Sequence, residues 1–485
     1  MWNLLSDYWL HLLTVLSIAA AAIAIPHAAM TKDDVRAAIG WVGVVLLSPV
    51  VGALVYAVAG VNRIRRDSIA AERTGAERRM PEFPGFAADG ELVAARFGRR
   101  FAALKTAGDR VTRHALTTGN SIVALTRGDE AYAAFIDAIG RARRSVILET
   151  YIFDRDRVGL RVADALVAAV RRGVAVRVLV DAVGARYSNP TILGYLRDAG
   201  VPADVFNGSF VTRFRLPYAN LRTHRKLLVT DCAVAFVGGM NIRQAFTAEF
   251  AGADAARDTH FRVEGPVVAD LFSVAAEDWR FVTGESLEGD AWRIEAPSGE
   301  PGSPVLARAV SSGPDACVET NHRLLMGAFS VARRRIRIMS PYFLPDRELV
   351  SALTTAARRG VEVDIVVPAK NNLLLVDRAM TAQFDQVLKN HCRVWRANGP
   401  FDHSKLLSID GVWAFVGSSN LDPRSLRLNF EIDVEVLDAG FAGQIDARIG
   451  AALADATPVT LASLRARPFA VRLIERILWL GSPYL

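Results

Sequence analysis

Cysteine and lysine are the scarce residues of this chain. Its 485 residues include three cysteines, Cys232, Cys317 and Cys392, which are odd in number, far apart and in no metal-like spacing. That spacing excludes a disulfide framework or a zinc site as the basis of the fold and fits a reducing compartment. Lysine occurs six times although lysine and arginine together number 58. Charge is missing altogether from two stretches, Tyr8 to Ile25, which ends at Pro26, and Ala37 to Val61. Both reach the roughly 18 to 25 residues that cross a bilayer. The first has no basic n-region, and a second apolar run follows directly, which argues against a cleaved signal peptide. A two-helix transmembrane hairpin is therefore expected, with helices over about 8–25 and 37–61. Arg63, Arg65, Arg66, Arg73, Arg78 and Arg79 follow the second run, whereas the connecting loop sets Lys32 and Arg36 against Asp33 and Asp34. By the positive-inside rule, both termini and everything after residue 62 would face the cytoplasm, in a multi-pass protein of the cell (inner) membrane.

The formal net charge of +7 favours acidic partners, and by charge alone nucleic acid and anionic lipid fit equally well. The membrane hairpin shifts the balance to lipid. Residues 63–118 read as a basic juxtamembrane linker. Within it Leu92, Phe97, Phe101 and Leu104 recur at near-helical spacing among Arg96, Arg99, Arg100 and Lys105. Such an amphipathic helix fits the membrane surface and fits docking on a catalytic body equally well.

From residue 119 the pattern alternates between strand and helix. Ser145 to Phe153 reads as a strand, Leu160 to Arg172 as a helix and Val174 to Val180 as a buried strand. The sequence repeats over Arg335 to Phe343, Leu349 to Arg359 and Val361 to Val367. Ala142-Arg143-Arg144 matches Ala332-Arg333-Arg334, and Arg171-Arg172-Gly173-Val174 matches Arg358-Arg359-Gly360-Val361, so a whole β-α-β unit is duplicated. The Gly/Pro/Ser-rich stretch Pro297 to Pro304 divides an expected first lobe, 119–300, from a second, 301–485.

Each unit carries the same rare pattern. His224-x-Lys226-x4-Asp231 leads to Gly238-Gly239-Met240-Asn241, and His403-x-Lys405-x4-Asp410 leads to Gly417-Ser418-Ser419-Asn420, 179 residues on. Two of the six lysines fill these slots. In a strand, residues i and i+2 share a face, so each His is expected to project with its Lys. Asp410-Gly411 reads as a tight hairpin turn, Gly taking the positive φ. Asp231-Cys232 departs from that pattern and signals strain or a different turn. Two imidazoles suit displacement at a phosphodiester, one as nucleophile and one as proton carrier for the leaving alcohol. Lys226, Lys405, Asn241 and Asn420 would serve the phosphate oxygens.

These residues resemble the phospholipase D superfamily, defined by His-x-Lys-x4-Asp followed by Gly-Gly/Ser and Asn. The resemblance extends to Glu149-Thr150-Tyr151-Ile152-Phe153, Arg257-Asp258-Thr259-His260, Asn420-Leu421-Asp422-Pro423-Arg424-Ser425 and Asn429-Phe430-Glu431. With the membrane hairpin and the closing Ser482-Pro483-Tyr484-Leu485, the chain resembles the bacterial cardiolipin synthases of that superfamily. The resemblance implies an α/β fold of two α/β/α sandwich lobes related by pseudo-twofold symmetry, acting without metal or cofactor. It implies a catalytic set of His224, Lys226, Asp231, His403, Lys405 and Asp410, with Asp231 and Asp410 closer to structural braces. It implies that an acidic residue beyond each motif, Asp258 or Glu431, orients its ring. It implies phosphatidyl transfer between two molecules of phosphatidylglycerol through a phosphohistidine, with His224 as nucleophile by analogy. A hydrolase releasing phosphatidic acid, a transferase using phosphatidylethanolamine, a nuclease and an inactive lipid-binding scaffold are the alternatives. Two intact motifs oppose the last, and the membrane hairpin opposes a nucleic-acid substrate. Asn371 to Val376 reads as the start of a buried helix or an exposed lip. Phe469, Leu473, Ile477 and Leu480 share one face of a last helix that touches bilayer or its own lobe.

Overall fold

The computed structural model describes residues 2–32, 34–61, 82–207, 221–297, 299–315 and 317–482. The basic cluster Arg63 to Arg79, Asp33 and the closing Pro483-Tyr484-Leu485 lie outside the described residues. Contacts set the N-terminal helices, described as far as Val61, apart as one unit from a much larger body.

In the N-terminal unit the first helix, Trp2–Thr31, runs through Pro26 instead of ending there. Tyr8–Thr31 is the one helix among the described residues long and apolar enough to cross a membrane. The second apolar run differs from the single helix over 37–61 that its composition suggests. It forms Val35–Leu47, then Pro49–Val55, then one π-helical turn, Tyr56–Gly60. Ser48 leaves the helical region at φ −147°, because the ring of a following proline disfavours that region. The chain then folds back on itself. Trp41 and Tyr56 rings lie 5.3 Å apart, and a Cβ on Gly52 would fall 2.4 Å from the Val44 carbonyl oxygen. Lys32 donates to the Gly60 carbonyl, so Val61 leaves beside the loop that follows the first helix. The 13 residues of Val35–Leu47 rise only about 20 Å, short of the roughly 30 Å of hydrocarbon.

The body holds two sheets whose strand orders match. In the first sheet the order is Ser121–Leu125, His260–Glu264, Val234–Gly238, Leu227–Thr230, Ser145–Thr150, Ala175–Asp181 and Ala203–Phe206. In the second the corresponding order is Leu306–Ser312, Asn429–Leu437, Trp413–Gly417, Leu406–Ile409, Arg335–Met339, Glu362–Pro368 and Arg393–Ala397, with Ala456–Val459 added at the edge. The central pairs Ser145–Thr150 with Ala175–Asp181, and Arg335–Met339 with Glu362–Pro368, are parallel. Each is joined by one crossover helix, Arg157–Arg171 or Arg347–Arg358, as parallel neighbours require. Val146, Leu148, Val176, Val178 and Val180 alternate along their strands into one core with the helices Gly128–Arg141 and Arg157–Arg171. Helix Val267–Thr283 packs against the same sheet.

The linker helix docks on the body. It is broken at Gly98, φ 90°, into Gly90–Phe97 and Arg99–Val111. Phe101 and Leu104 are buried in the core of the second half, with Leu92 and Phe97 packed against them.

Candidate active site

Each motif histidine is clamped by backbone from the opposite half of the chain. Arg222–Thr223 joins the second sheet in parallel to Asn429–Phe430, and the His224 amide donates to the Phe430 carbonyl at 2.9 Å. The Arg257 amide donates to Phe401 at 2.8 Å, and the His403 amide donates to Arg257 at 2.7 Å. The acid that follows each clamp therefore meets the other half's ring. His224 Nδ1 lies 2.9 Å from Glu431 Oε2, and His403 Nδ1 lies 2.8 Å from Asp258 Oδ2. The expectation that each acid orients the ring of its own motif is corrected by this geometry: the pairing crosses. The Nε2 edge of His224 is left for chemistry, while that of His403 meets Lys405.

The two imidazoles line one cleft of about 520 Å³, together with Asn241 and Asn420. The lysines lie beneath, both buried. Lys226 Nζ donates to the His224 carbonyl at 2.6 Å and sits 5.4 Å above the Tyr151 ring. Lys405 Nζ lies 2.9 and 3.0 Å from the two ring nitrogens of His403. Asn241 Oδ1 accepts from the Ile152 amide at 3.1 Å, while Asn420 Oδ1 is buried with no hydrogen-bond partner among the described residues. Gly239 permits this packing, since a Cβ there would lie 2.7 Å from an Asp258 carboxylate oxygen.

Burial sets the protonation of the site. It pushes His224 down to about 4 against the pull of Glu431, and His403 well below its ordinary value, with Lys405 and Lys226 adding to the effect. Burial also lowers Lys226 to about 7 and Lys405 to about 8. The two acids part company. Burial raises Asp258 to about 7, whereas for Glu431 the upward push of burial is outweighed by His224, Lys226 and Ser418, so its carboxyl stays below the usual range. His224 thus rests neutral on an anionic carboxylate, and the His403 side holds groups that exchange protons near neutrality. A bound phosphate anion would favour the charged forms of the lysines and imidazoles.

Asp231 and Asp410 belong elsewhere, and their inclusion in the catalytic set is corrected here. The Asp231 carboxylate accepts from the amides of Arg143, Arg144 and Ser145 at 3.0, 2.7 and 3.0 Å. The Asp410 carboxylate accepts from Arg333, Arg334 and Arg335 at 3.0, 2.8 and 2.9 Å, and pairs with Arg100. Each braces a hairpin turn against the entry to its parallel strand, which gives the repeated Ala-Arg-Arg phrases their physical reason. Both turns have the same form. Asp410 and Gly411 have φ 54° and 67°, and Asp231 and Cys232 have φ 52° and 53°, so Cys232 adopts the left-handed region without glycine. Asp410→Ala is expected to cost about 2–4 kcal/mol, since it removes the acceptor of three partly buried amides and of Arg100, and to leave turnover per folded molecule near wild type. Thermal melting alongside active-site titration checks both parts.

Three cleft-lining arginines, Arg222, Arg243 and Arg424, were not among the sequence-derived candidates. Their signal is the broken symmetry of the repeat. Arg222 stands where the second copy has Phe401, Arg243 where it has Asp422, and Arg424 where the first copy has Ala245. Arg243 pairs with Asp154 at 3.0 Å, and Arg222 lies 3.9 Å from Asp181. Arg424 has no ion-pair partner among the described residues.

A family profile described as "Cardiolipin synthase, PLD-like domain" matches residues 135–270 and 325–452. A cardiolipin synthase of Alkalihalophilus pseudofirmus is 31% identical over 452 residues, 92% of this chain and 88% of that protein. Cardiolipin synthase A of Pseudomonas aeruginosa is 32% identical over 486 residues, 99% and 97% of the two chains. Among solved structures, a phosphatidylserine synthase of Haemophilus influenzae Rd KW20 superposes with a TM-score of 0.59 at 15% identity, covering 79% of this chain and all of that one. That likeness speaks for the fold.

Proposed function

This chain belongs to the cardiolipin synthase family of phospholipase D-like proteins, and we propose that it joins two phosphatidylglycerol molecules into cardiolipin with release of glycerol. The observation that carries the reading is the pair of imidazoles facing one cleft, each held at Nδ1 by a carboxylate from the opposite half. His224 Nε2 attacks phosphorus, forming a P–N bond as the P–O bond to glycerol breaks, and His403 gives the leaving alkoxide its proton. The headgroup hydroxyl of a second phosphatidylglycerol then attacks, His403 recovers a proton from it, and the P–N bond breaks. Glu431 favours His224 as nucleophile, because an anionic acceptor at Nδ1 raises the electron density at Nε2. Lys226, Lys405, Asn241 and Asn420 stabilise the charge on the phosphate oxygens. Purified protein in phosphatidylglycerol vesicles should give cardiolipin and glycerol in equal amounts by mass spectrometry. Phosphatidic acid as the sole lipid product would assign the chain to the hydrolases instead.

The acceptor is itself a phosphate monoanion, so transfer requires a second cationic position in the cleft. Arg424 supplies it, since it lines the cleft and has no ion-pair partner among the described residues, which leaves its guanidinium available to an incoming anion. Arg424→Gln should raise the ratio of phosphatidic acid to cardiolipin several-fold, because water then competes better with the second lipid. A uniform loss of both products would place Arg424 on the first phosphate.

For placement in the cell we propose the inner membrane, with the chain from residue 62 onward cytoplasmic on account of Arg63 to Arg79. Since Val61 leaves beside Lys32, a first helix that crosses the bilayer puts Met1 on the opposite face from residue 62. A reporter active only outside the cytoplasm should therefore work at the N-terminus. A silent one there would restore the two-crossing hairpin.

A further inference from the structure

The second half carries an apolar, basic face that the chemistry above does not use. Helix Phe469–Leu480 lies along helix Leu374–Leu388. One side of it is fixed to the body. Glu475 is buried between Arg378 and Arg467, Arg476 pairs with Asp385 at 2.7 Å, and Leu478 and Trp479 rest on the core. Its other side turns apolar residues outward, with Phe469 72%, Ile474 56%, Ile477 58% and Leu480 72% exposed. A helix at a water-facing surface has the opposite arrangement.

The neighbouring helix continues this face to the cleft. Leu374 and Leu375, at its first turn, are 65% and 55% exposed. The Asn371 to Val376 segment therefore does start a helix, but as an exposed lip rather than a buried one. Leu373 and Val376 of the same turn line the cleft that holds both histidines. The charge around the face is mainly basic, Asp385 being paired with Arg476. Residues 461–480 contain four arginines and one glutamate, and that glutamate is the buried, paired Glu475.

We infer that Phe469–Leu480 and the Leu373–Leu375 lip together dock on the surface of an anionic phospholipid bilayer, so that substrate passes from the bilayer into the cleft along continuous apolar contact. An apolar face edged by arginine is the composition of an interfacial helix. A second copy of the chain fits worse, because a symmetric contact would set arginines against arginines. The inference rests on the reading that the substrate is a membrane lipid.

The three native cysteines are buried, so an introduced cysteine can be labelled alone. Ile477→Cys and Leu374→Cys, each carrying an environment-sensitive fluorophore, are compared in the full-length protein, reconstituted in vesicles of phosphatidylglycerol with nitroxide-bearing lipid. Both labels should be quenched several-fold more than one at Arg141→Cys in the first half. Labels that stay unquenched, or shift blue without quenching because protein covers them, overturn the inference. As a second arm, Leu473→Ser with Ile477→Ser should slow turnover of vesicle lipid about tenfold and leave turnover of monomeric short-chain phosphatidylglycerol unchanged. An equal loss on both substrates would assign the face to folding. Quenching is read without turnover, so a wild type that makes no cardiolipin refutes the proposed reaction and not the docking.

Discussion

Replacing His224 by alanine should lower phosphatidyl transfer about 10⁴-fold or more, and His403→Ala should lower it about 10²- to 10⁴-fold. The loss at His224 is the larger because its ring carries the covalent intermediate, whereas His403 only moves protons. The loss at His403 scales with the poverty of the leaving group, since glycerol departs as an alkoxide unless a proton is supplied. Each ring is held by a backbone clamp as well as by its carboxylate, so both variants should fold. A loss of less than about tenfold in either variant would refute the two-histidine account.

The next largest effect is expected at the lysines. Lys226→Met and Lys405→Met should each reduce kcat/KM about 10²- to 10³-fold, the scale of losing one preorganised charge beside a developing oxyanion. The wild type should show the same dependence through pH. A lysine with a depressed pKa is charged below that pKa and neutral above it, so the free protein loses these cations as pH rises through about 7 for Lys226 and about 8 for Lys405. A required neutral His224 fails only as pH falls towards about 4. Measured kcat/KM should therefore decline on the alkaline side from about pH 7, and the proton that His403 must carry, held on a ring with a lowered pKa, pulls in the same direction. A profile rising from pH 7 to 9 would show that the lysines are not the phosphate's cations.

Much of this site was legible in the sequence because duplication made it so. Two copies of one spacing located His224, Lys226, His403, Lys405, Asn241 and Asn420, and the structure brings both histidines and both asparagines to one cleft with the lysines beneath. The β-α-β repeat also showed in composition, since Val174 to Val180 and Val361 to Val367 are apolar runs at matching places. The crossing of the acids was not legible. It depends on Arg222–Thr223 pairing with Asn429–Phe430, a contact between residues about 200 apart that no local pattern encodes. The break at Ser48-Pro49 was written in the chain, but uniform hydrophobicity on either side masked it. Leu373 to Leu375 illustrates the converse limit: an apolar run looks the same whether its partner is protein or another apolar phase. Phe101 and Leu104 went to the core for the same reason, that periodicity shows an apolar side without naming what covers it.

The division of labour between the histidines is tested most directly with a phosphatidyl ester of p-nitrophenol, whose leaving group needs no proton. Mixed with His403→Ala in a stopped-flow instrument, it should release a stoichiometric burst of p-nitrophenolate as the phosphatidyl group is captured on His224, followed by slow turnover. His224→Ala should give no burst. A burst from His224→Ala and none from His403→Ala would contradict the account and exchange the two roles.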